Sequence, residues 1–406
     1  MYHNRKKICF VVQRYGEEII GGAEMLCANY VRKLLDSYDI EVLTSCAKDY
    51  NTWKNVYPEG VFFSDGVLIR RFKVAHPRQT ERLTELTQDV YDNEYNDMLT
   101  GATWLREVGP YCPELIRYIR ENSEKYDVFL FMGYHYYPTV FGLPLVPYKA
   151  IFIPTAHDEE PLRKCNYFQY LFQIPRVIAF LTEQEKSFVQ DFFRNKRVNS
   201  IVLGAGIDTP DMQMPQMLIQ EKFALDSPYI VYTGRIDKTK NCDRLIEDFI
   251  YYKEKTGGNL KLILVGECFI EVPVNKDISW IGTVTEEEKF AILEGASAFV
   301  MPSENESLSI STLEAMCVGT PVLVNGKSNV LHNHIEKSNA GLYFYQKEDF
   351  SAALNFMITN HKTAIAMGEN GIQYVMRNYS WDGIIDTLQR AIEEIAEGCL
   401  EIGIKR

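Results

Sequence analysis

Ala298-Phe299-Val300-Met301-Pro302-Ser303-Glu304-Asn305-Glu306-Ser307-Leu308-Ser309-Ile310-Ser311-Thr312-Leu313-Glu314-Ala315-Met316-Cys317-Val318-Gly319-Thr320-Pro321 reads as a short apolar strand, a polar loop and a helix stopped by Gly319 and Pro321. In a parallel α/β sheet, ligands bind where strands end and helices begin, so this loop lies where a site is expected. Glu306 and Glu314 bracket the first turn of the expected helix, and no acid, proline or large charge interrupts 307–313. Backbone N–H groups of that turn can face a phosphate or a sugar oxygen, with the helix dipole favouring a negative ligand. The two glutamates are left as acceptors for hydroxyls. A purely structural reading stands beside this one: Ser303 with Glu306, and Ser311 with Glu314, both fit the Ser-x-x-Glu capping box.

Outward from this stretch, the same alternation of strand and helix fills the chain. Before it come strands at 229–233, 260–265 and 278–281 with helices at about 243–255 and 286–295, and after it strands at 321–324 and 341–344. Helices at about 348–358 and 361–377 and a final amphipathic helix to about 395 close the chain. The first half repeats the pattern, with strands at 7–13, 40–44, 67–72, 128–132, 150–154, 177–181 and 200–203. A long, polar, helical section at about 75–122 is the kind of excursion that often faces a substrate. Two doubly wound α/β domains follow: 1–208, and 228–379, joined by a linker at 209–227 rich in Met, Gln and Pro, with a helix at about 380–398 able to pack back on the first. Ligands are expected in a deep cleft between two such domains.

Composition narrows the chemistry. A formal charge of −12 argues against nucleic acid as the main partner, because a phosphate backbone demands a basic face. Nine cysteines, Cys9, Cys27, Cys46, Cys112, Cys165, Cys242, Cys268, Cys317 and Cys399, are scattered without a Cys-x-x-Cys pair and read as reduced thiols of a cytosolic protein. The start of the chain lacks a signal-peptide pattern, and the longest apolar region, 128–154, is broken by His135, Pro138, Pro144, Pro147 and Lys149 into two buried strands. A soluble protein is expected.

Three further sets of residues carry possible chemistry. Strand 229–233 and Gly234 deliver Arg235 and Lys240, a planar fork and a point charge that can meet one anion, although basic residues in a surface turn are often only solvated. Gly21 and Gly22 lie between the first strand and its helix, where glycine lets a ligand approach the backbone or simply allows close packing. His157, followed by Asp158, Glu159 and Glu160, ends the strand at 150–154; it is a candidate functional histidine, or one that hydrogen-bonds a helix start which Asp158 caps. No second histidine or cysteine stands at ligand spacing, so no metal site is read.

Gly234-Arg235, Lys240-Asn241, Val265-Gly266, Ile281-Gly282-Thr283-Val284, and Pro302-Ser303 with Glu306, Glu314-Ala315-Met316 and Gly319-Thr320-Pro321-Val322 together resemble, in order and spacing, the retaining glycosyltransferases of family 4, of GT-B fold. The resemblance covers the second half; the first half is similar only through Gly21-Gly22, His157 and Gly206-Ile207-Asp208. It implies a nucleotide-diphosphate sugar as donor, with no cofactor and no metal. Arg235 and Lys240 would hold the diphosphate, Glu306 the transferred sugar, Glu314 the ribose, and the amides of Ser307, Leu308, Ser309 and Ile310 the sugar and phosphate. Val284 would flank the base, Gly22 would approach the diphosphate, and His157 would stand beside the sugar. Where many relatives carry Gly-Phe-Gly-Leu, this chain has Ser307-Leu308-Ser309-Ile310.

With cations and a helix end to stabilise the leaving diphosphate, and no carboxylate with a clear claim to be the nucleophile, the expected reaction is front-face transfer to a hydroxyl with retention of configuration. The acceptor would be a glycan, a lipid-linked sugar or a small molecule, in bacterial polysaccharide or glycoconjugate synthesis. Alternatives are a sugar-nucleotide epimerase or phosphorylase of similar shape, and a catalytically silent partner of a glycosyltransferase. Arg163, Lys164, Tyr167, Phe168, Tyr170, Leu171, Phe172 and Arg176 mix bases with aromatics, which would suit peripheral contact with a membrane through the first domain, or ordinary core packing.

Overall fold

The computed structural model describes residues 5–19, 21–93, 97–209 and 214–398. The chain divides into two compact units, one running up to Gly204 and resuming at Asp382, the other Ala205–Trp381.

The strands of the first unit are β1 (Lys7–Val11), β2 (Asp39–Ser45), β3 (Gly60–Ser64), β4 (Val67–Phe72), β5 (Val128–Met132), β6 (Ala150–Ile153), β7 (Val177–Phe180) and β8 (Ser200–Val202). They form one sheet in the order β3-β4-β2-β1-β5-β6-β7-β8. All neighbours are parallel except β3, which turns back antiparallel on β4 at the edge. β1, β5, β6 and β7 are almost wholly buried, as unbroken apolar strands must be when helices cover both faces of a sheet. The region 128–154 is thus two buried strands, with the helix Tyr137–Gly142 between them. β3 escaped the sequence reading because its exposed edge carries no clean alternation: Phe63 is 73% exposed.

The second unit holds β9 (Tyr229–Thr233), β10 (Lys261–Val265), β11 (Ile278–Trp280), β12 (Ala298–Met301), β13 (Val322–Asn325) and β14 (Gly341–Phe344). Their order is β11-β10-β9-β12-β13-β14, all parallel. The chain builds outward from β9 in one direction and then returns to β12 on its other side. The loops after β9 and β12 therefore diverge to opposite faces of the sheet, which opens a crevice at their carboxyl ends. β1 and β5 hold the matching position in the first unit.

The segment expected to link the domains is more ordered than its composition suggested. Residues 210–213 lie outside those described, but Gln216–Phe223 is a helix packed on the helix Glu286–Glu294, with Lys222 paired to Glu288 and Gln216 Nε2 donating to the Ala291 carbonyl at 2.7 Å. Only Ile219 of this helix is buried, so no apolar period marked it. The helix Asn329–Ser338 was also missed; Asn329, His332, Asn333 and His334 dilute its apolar stripe of Val330, Leu331 and Ile335. The last helix, Trp381–Ala396, packs on the first unit: Glu393 accepts from Tyr38 Oη at 2.8 Å and pairs with Lys6, and Gln389 Nε2 donates to Ser37 Oγ at 2.9 Å. Among the described residues the eight cysteines form no disulfide, and Cys399 lies outside them.

Candidate functional site: the carboxyl ends of β9 and β12

β9 and β12 are hydrogen-bonded neighbours, with Phe299 opposite Val231, so whatever follows each strand emerges beside the other. After β9, Gly234 takes φ 141°, and the next strand end packs so closely that a Cβ on Gly266 would collide with the Gly234 carbonyl. The chain then turns through Lys238–Lys240, a single 3-10 turn whose first residue is preceded by Asp237. The Asp237 carboxylate accepts from the Lys240 N–H at 2.9 Å and from Thr239 Oγ1 at 2.7 Å. Arg235 pairs with Asp237 and donates through Nη2 to Thr239 Oγ1 at 3.1 Å, so its guanidinium is held against its own loop. Lys240 instead reaches across to the β12 loop, where its Nζ donates to Glu306 Oε1 at 2.6 Å.

The β12 loop differs from the expectation in one respect that matters. The helix begins at Ile310, not directly after Glu306, so Ser307, Leu308 and Ser309 belong to the loop. Ser309 occupies the cap position in the left-handed region, φ 64°, and its Oγ lies 2.8 Å from Thr312 Oγ1. Neither proposed capping box forms. Ser303 Oγ turns back on Asn305, accepting its N–H at 3.3 Å and donating to its carbonyl at 3.0 Å, while Glu306 is taken by Lys240. Glu314, in the second turn of the helix, accepts from Lys289 Nζ at 2.8 Å. Both glutamates are therefore partners of cations from other elements, and neither closes a capping box.

Electrostatically the two pairs are unlike. Lys240 and Glu306 lie at the strand ends, with side chains 30% and 10% exposed. Glu314 is buried, and desolvation raises its carboxyl above the ordinary 4.5 although Lys289 pulls it down. Lys289 is raised, because Glu314 and Glu286 together outweigh the cost of its burial.

Val284 is half-buried in the coil after β11, at the far end of the same sheet edge. Asn241 and Asn325 both donate to the Pro302 carbonyl, at 3.3 and 2.9 Å, which ties the loops after β9, β12 and β13 together. Asn325, Asp237, Lys289 and the buried His334 were not singled out from the sequence. Only the contacts reveal them, since each acts on a partner at least 3 and up to 26 residues away.

In the first unit, the helix Gly22–Leu34 follows the β1 loop with Gly21 as its cap. A Cβ on Gly21 would collide with the Glu24 carboxylate, which pairs with Arg14 at 2.6 Å, whereas nothing lies within 4 Å of a Cβ on Gly22. Of the glycine pair, only Gly22 therefore has open space beside its backbone. His157 is half-buried beyond the carboxyl end of β6, its Nδ1 3.5 Å from Glu159 Oε1. Asp158 pairs with Arg163 and caps nothing. Thr155, just before, holds φ 53°, a conformation that a β-branched residue keeps only under constraint. The constraint is Glu185, whose two carboxyl oxygens accept the N–H of Ala156 and of Leu181, both at 2.6 Å. Of the mixed basic and aromatic stretch, Tyr167, Phe168, Leu171 and Phe172 point into the core, leaving Arg163, Lys164 and Tyr170 exposed. Among the described residues no helix is long and apolar enough to cross a membrane.

Two parallel-sheet α/β units of this strand order, each with its crevice at the strand ends, define the GT-B class of fold. The chain superposes on the sucrose-phosphate synthase of Thermosynechococcus elongatus with a TM-score of 0.72 at 14% identity, covering 97% of this chain and 100% of that one. On Anabaena HepE, solved in complex with UDP and glucose, the TM-score is 0.68 at 12% identity, covering 96% and 100%. In sequence, it is 21% identical to the mannosylfructose-phosphate synthase of Agrobacterium fabrum over 337 residues, 71% of this chain and 73% of that one. Residues 215–374 match the family Glycosyl transferases group 1, so the second unit carries a glycosyltransferase domain of that kind.

Proposed function

We propose that the protein is a retaining glycosyltransferase that moves a sugar from a nucleotide-diphosphate sugar to an acceptor hydroxyl without a metal. The observation that carries this reading is the Lys240–Glu306 pair, which joins the loops after β9 and β12 at the crevice of the second sheet. An ammonium has three donors and the pair uses one, so Lys240 can hold Glu306 in place and still meet phosphate oxygens. Arg235, on the same loop, supplies a second cation within reach of the strand ends. Glu306, so oriented, accepts from sugar hydroxyls, and Glu314 with Lys289 stands ready for the ribose. Thr312 and Leu313 donate their N–H groups to the Ser309 carbonyl, which leaves the amides of Ile310 and Ser311 at the helix start as those suited to a developing negative charge.

Transfer breaks the bond between the anomeric carbon and the phosphate oxygen and forms one from the same carbon to the acceptor oxygen on the same face. The acceptor proton passes to the leaving diphosphate, whose charge Lys240 and Arg235 neutralise. By the resemblance, His157 would act on the transferred sugar and Gly22 would approach the diphosphate. Mannosylfructose-phosphate synthase and sucrose-phosphate synthase are both named for phosphorylated products, which favours a small phosphorylated acceptor over a polymer. The test is incubation with labelled UDP-, GDP- and ADP-sugars and a panel of sugar phosphates and glycans, with EDTA present. The reading expects a product of retained anomeric configuration by NMR. An isomerised or merely hydrolysed donor, or transfer abolished by EDTA and restored by a divalent cation, contradicts it.

A further inference from the structure

The helix Asn329–Ser338 turns a stripe of Val330, Leu331, His334, Ile335 and Ser338 inward, and His334 is only 3% exposed. A histidine in such a stripe must hydrogen-bond on both nitrogens or lose stability. Its Nε2 lies 2.8 Å from the Leu308 carbonyl and its Nδ1 3.0 Å from Tyr374 Oη. A carbonyl can only accept, so Nε2 carries the proton and bare Nδ1 accepts from the Tyr374 hydroxyl. Burial pushes the imidazole down to about 4, which keeps this neutral tautomer at neutral pH. Tyr374 Oη lies in turn 3.3 Å from Tyr379 Oη.

The two ends of this chain of hydrogen bonds are what give it meaning. Leu308 sits between Glu306 and the left-handed Ser309, in the loop that replaces the Gly-Phe-Gly-Leu of many relatives, so its carbonyl sets the orientation of the peptide leading into the helix. Tyr379 sits where the chain leaves the second unit. Its carbonyl accepts the N–H of Ile207, where the chain enters that unit, at 3.0 Å, and a Cβ on neighbouring Gly206 would collide with the Trp381 ring.

Building on the donor site proposed above, we propose that His334 is a positioning residue for the donor: it pins the Leu308 carbonyl so that 306–310 are preformed for the nucleotide sugar, and through Tyr374 and Tyr379 it ties that loop to the paired entry and exit segments of the unit. A glycine-rich loop would reach the same shape by backbone freedom; here a side chain from the next helix imposes it.

The test separates the two imidazole nitrogens in the full chain. Glutamine places an amide N–H near the Nε2 position and can still donate to Leu308, whereas asparagine reaches only the Nδ1 position. UDP, GDP and ADP are titrated one at a time, and the tightest is kept for the variants. His334→Gln is expected to hold its affinity within about twofold, His334→Asn to weaken it about tenfold, and Tyr374→Phe about threefold, with kcat little changed. Hydrogen exchange of the 307–310 amides, which requires no ligand, should quicken in His334→Asn and stay near wild type in His334→Gln. Equal affinity and equal exchange in the Asn and Gln variants overturn the inference. If His334→Asn does not fold, Tyr374→Phe decides: wild-type affinity together with wild-type exchange overturns it. A wild type that binds none of the three nucleotides counts against the proposed function, while the exchange comparison still judges His334.

Discussion

The first and second sheets share one plan: β4-β2-β1-β5-β6-β7 repeats as β11-β10-β9-β12-β13-β14. Their crevices are furnished differently. At β9 and β12 the loops bring Arg235, Asp237, Lys240 and Glu306 into ion pairs, with Lys289 and Glu314 behind them. At β1 and β5 the matching positions carry Gln13, Tyr134 and His135, and the one cation of the β1 loop, Arg14, is taken up by Glu24 at 2.6 Å. Gln13 is 1% exposed and has no hydrogen-bond partner for either amide atom among the described residues. A shared topology therefore supplies a place for a ligand, and the side chains at the strand ends decide which charge it bears. Cations with acceptors suit a sugar diphosphate; neutral amide, phenol and imidazole groups suit hydroxyls.

The comparison breaks most easily at the second sheet. Glu306→Ala and Lys240→Ala should each lower transfer by about a thousandfold or more, with melting temperature little changed, because a group aimed at the reacting centre is worth about that much. Near-normal kcat/KM in either variant would remove the donor site from this crevice. His157→Ala sharpens the contrast from the other unit. Transfer should fall about a hundredfold while nucleotide affinity, measured by calorimetry, stays at the wild-type value, since the anchors proposed for the donor lie on the other sheet.

Next in size is the buried pair. Lys289→Met strands the Glu314 carboxylate, and unfolding in urea should show a loss of about 3 kcal/mol. An unchanged midpoint would mean that the pair is solvated.

The smallest effect is on pH, and here the two units have opposite signs. Burial lifts the Glu185 carboxyl from its ordinary 4.5 to about 8, so the folded first unit keeps a proton that the unfolded chain gives up between those values. Its contribution to stability is full below about pH 4.5 and is lost as pH rises through 8. His334 runs the other way. The folded imidazole stays neutral down to about 4 while the unfolded one charges near its ordinary 6.5, so stability falls as pH drops from 6.5 toward 4. Glu185→Gln should flatten the alkaline loss and leave the acid one, as read by melting temperature across pH 4 to 9. An unaltered alkaline slope would contradict the assignment.

Much of this was legible in the residues. Unbroken apolar strands such as β1, β9 and β12 declare a covered parallel sheet, and Glu306 and Glu314 announce themselves by spacing. What was hidden depends on contacts distant in sequence. Ser303-x-x-Glu306 has the letters of a capping box, yet Lys240, 66 positions earlier, offers the carboxylate a stronger partner than a backbone N–H. The late start of the helix at Ile310 follows from the left-handed Ser309, which no periodicity signals. The helix Gln216–Phe223 buries one residue and so leaves no stripe to read. His334 interrupts the apolar stripe of a helix that the sequence reading missed, and only its two partners give it a role.

The central claim, that the crevice between the β9 and β12 loops holds a nucleotide-diphosphate sugar through Lys240, is tested most directly by thermal denaturation with UDP-, GDP- and ADP-glucose. One of the three should raise the melting temperature of the wild-type chain, by an amount equivalent to about 2.7 kcal/mol at a hundredfold excess over its Kd, and should fail to do so in Lys240→Ala. Equal stabilisation of both proteins, or of neither by any of the three, would contradict it.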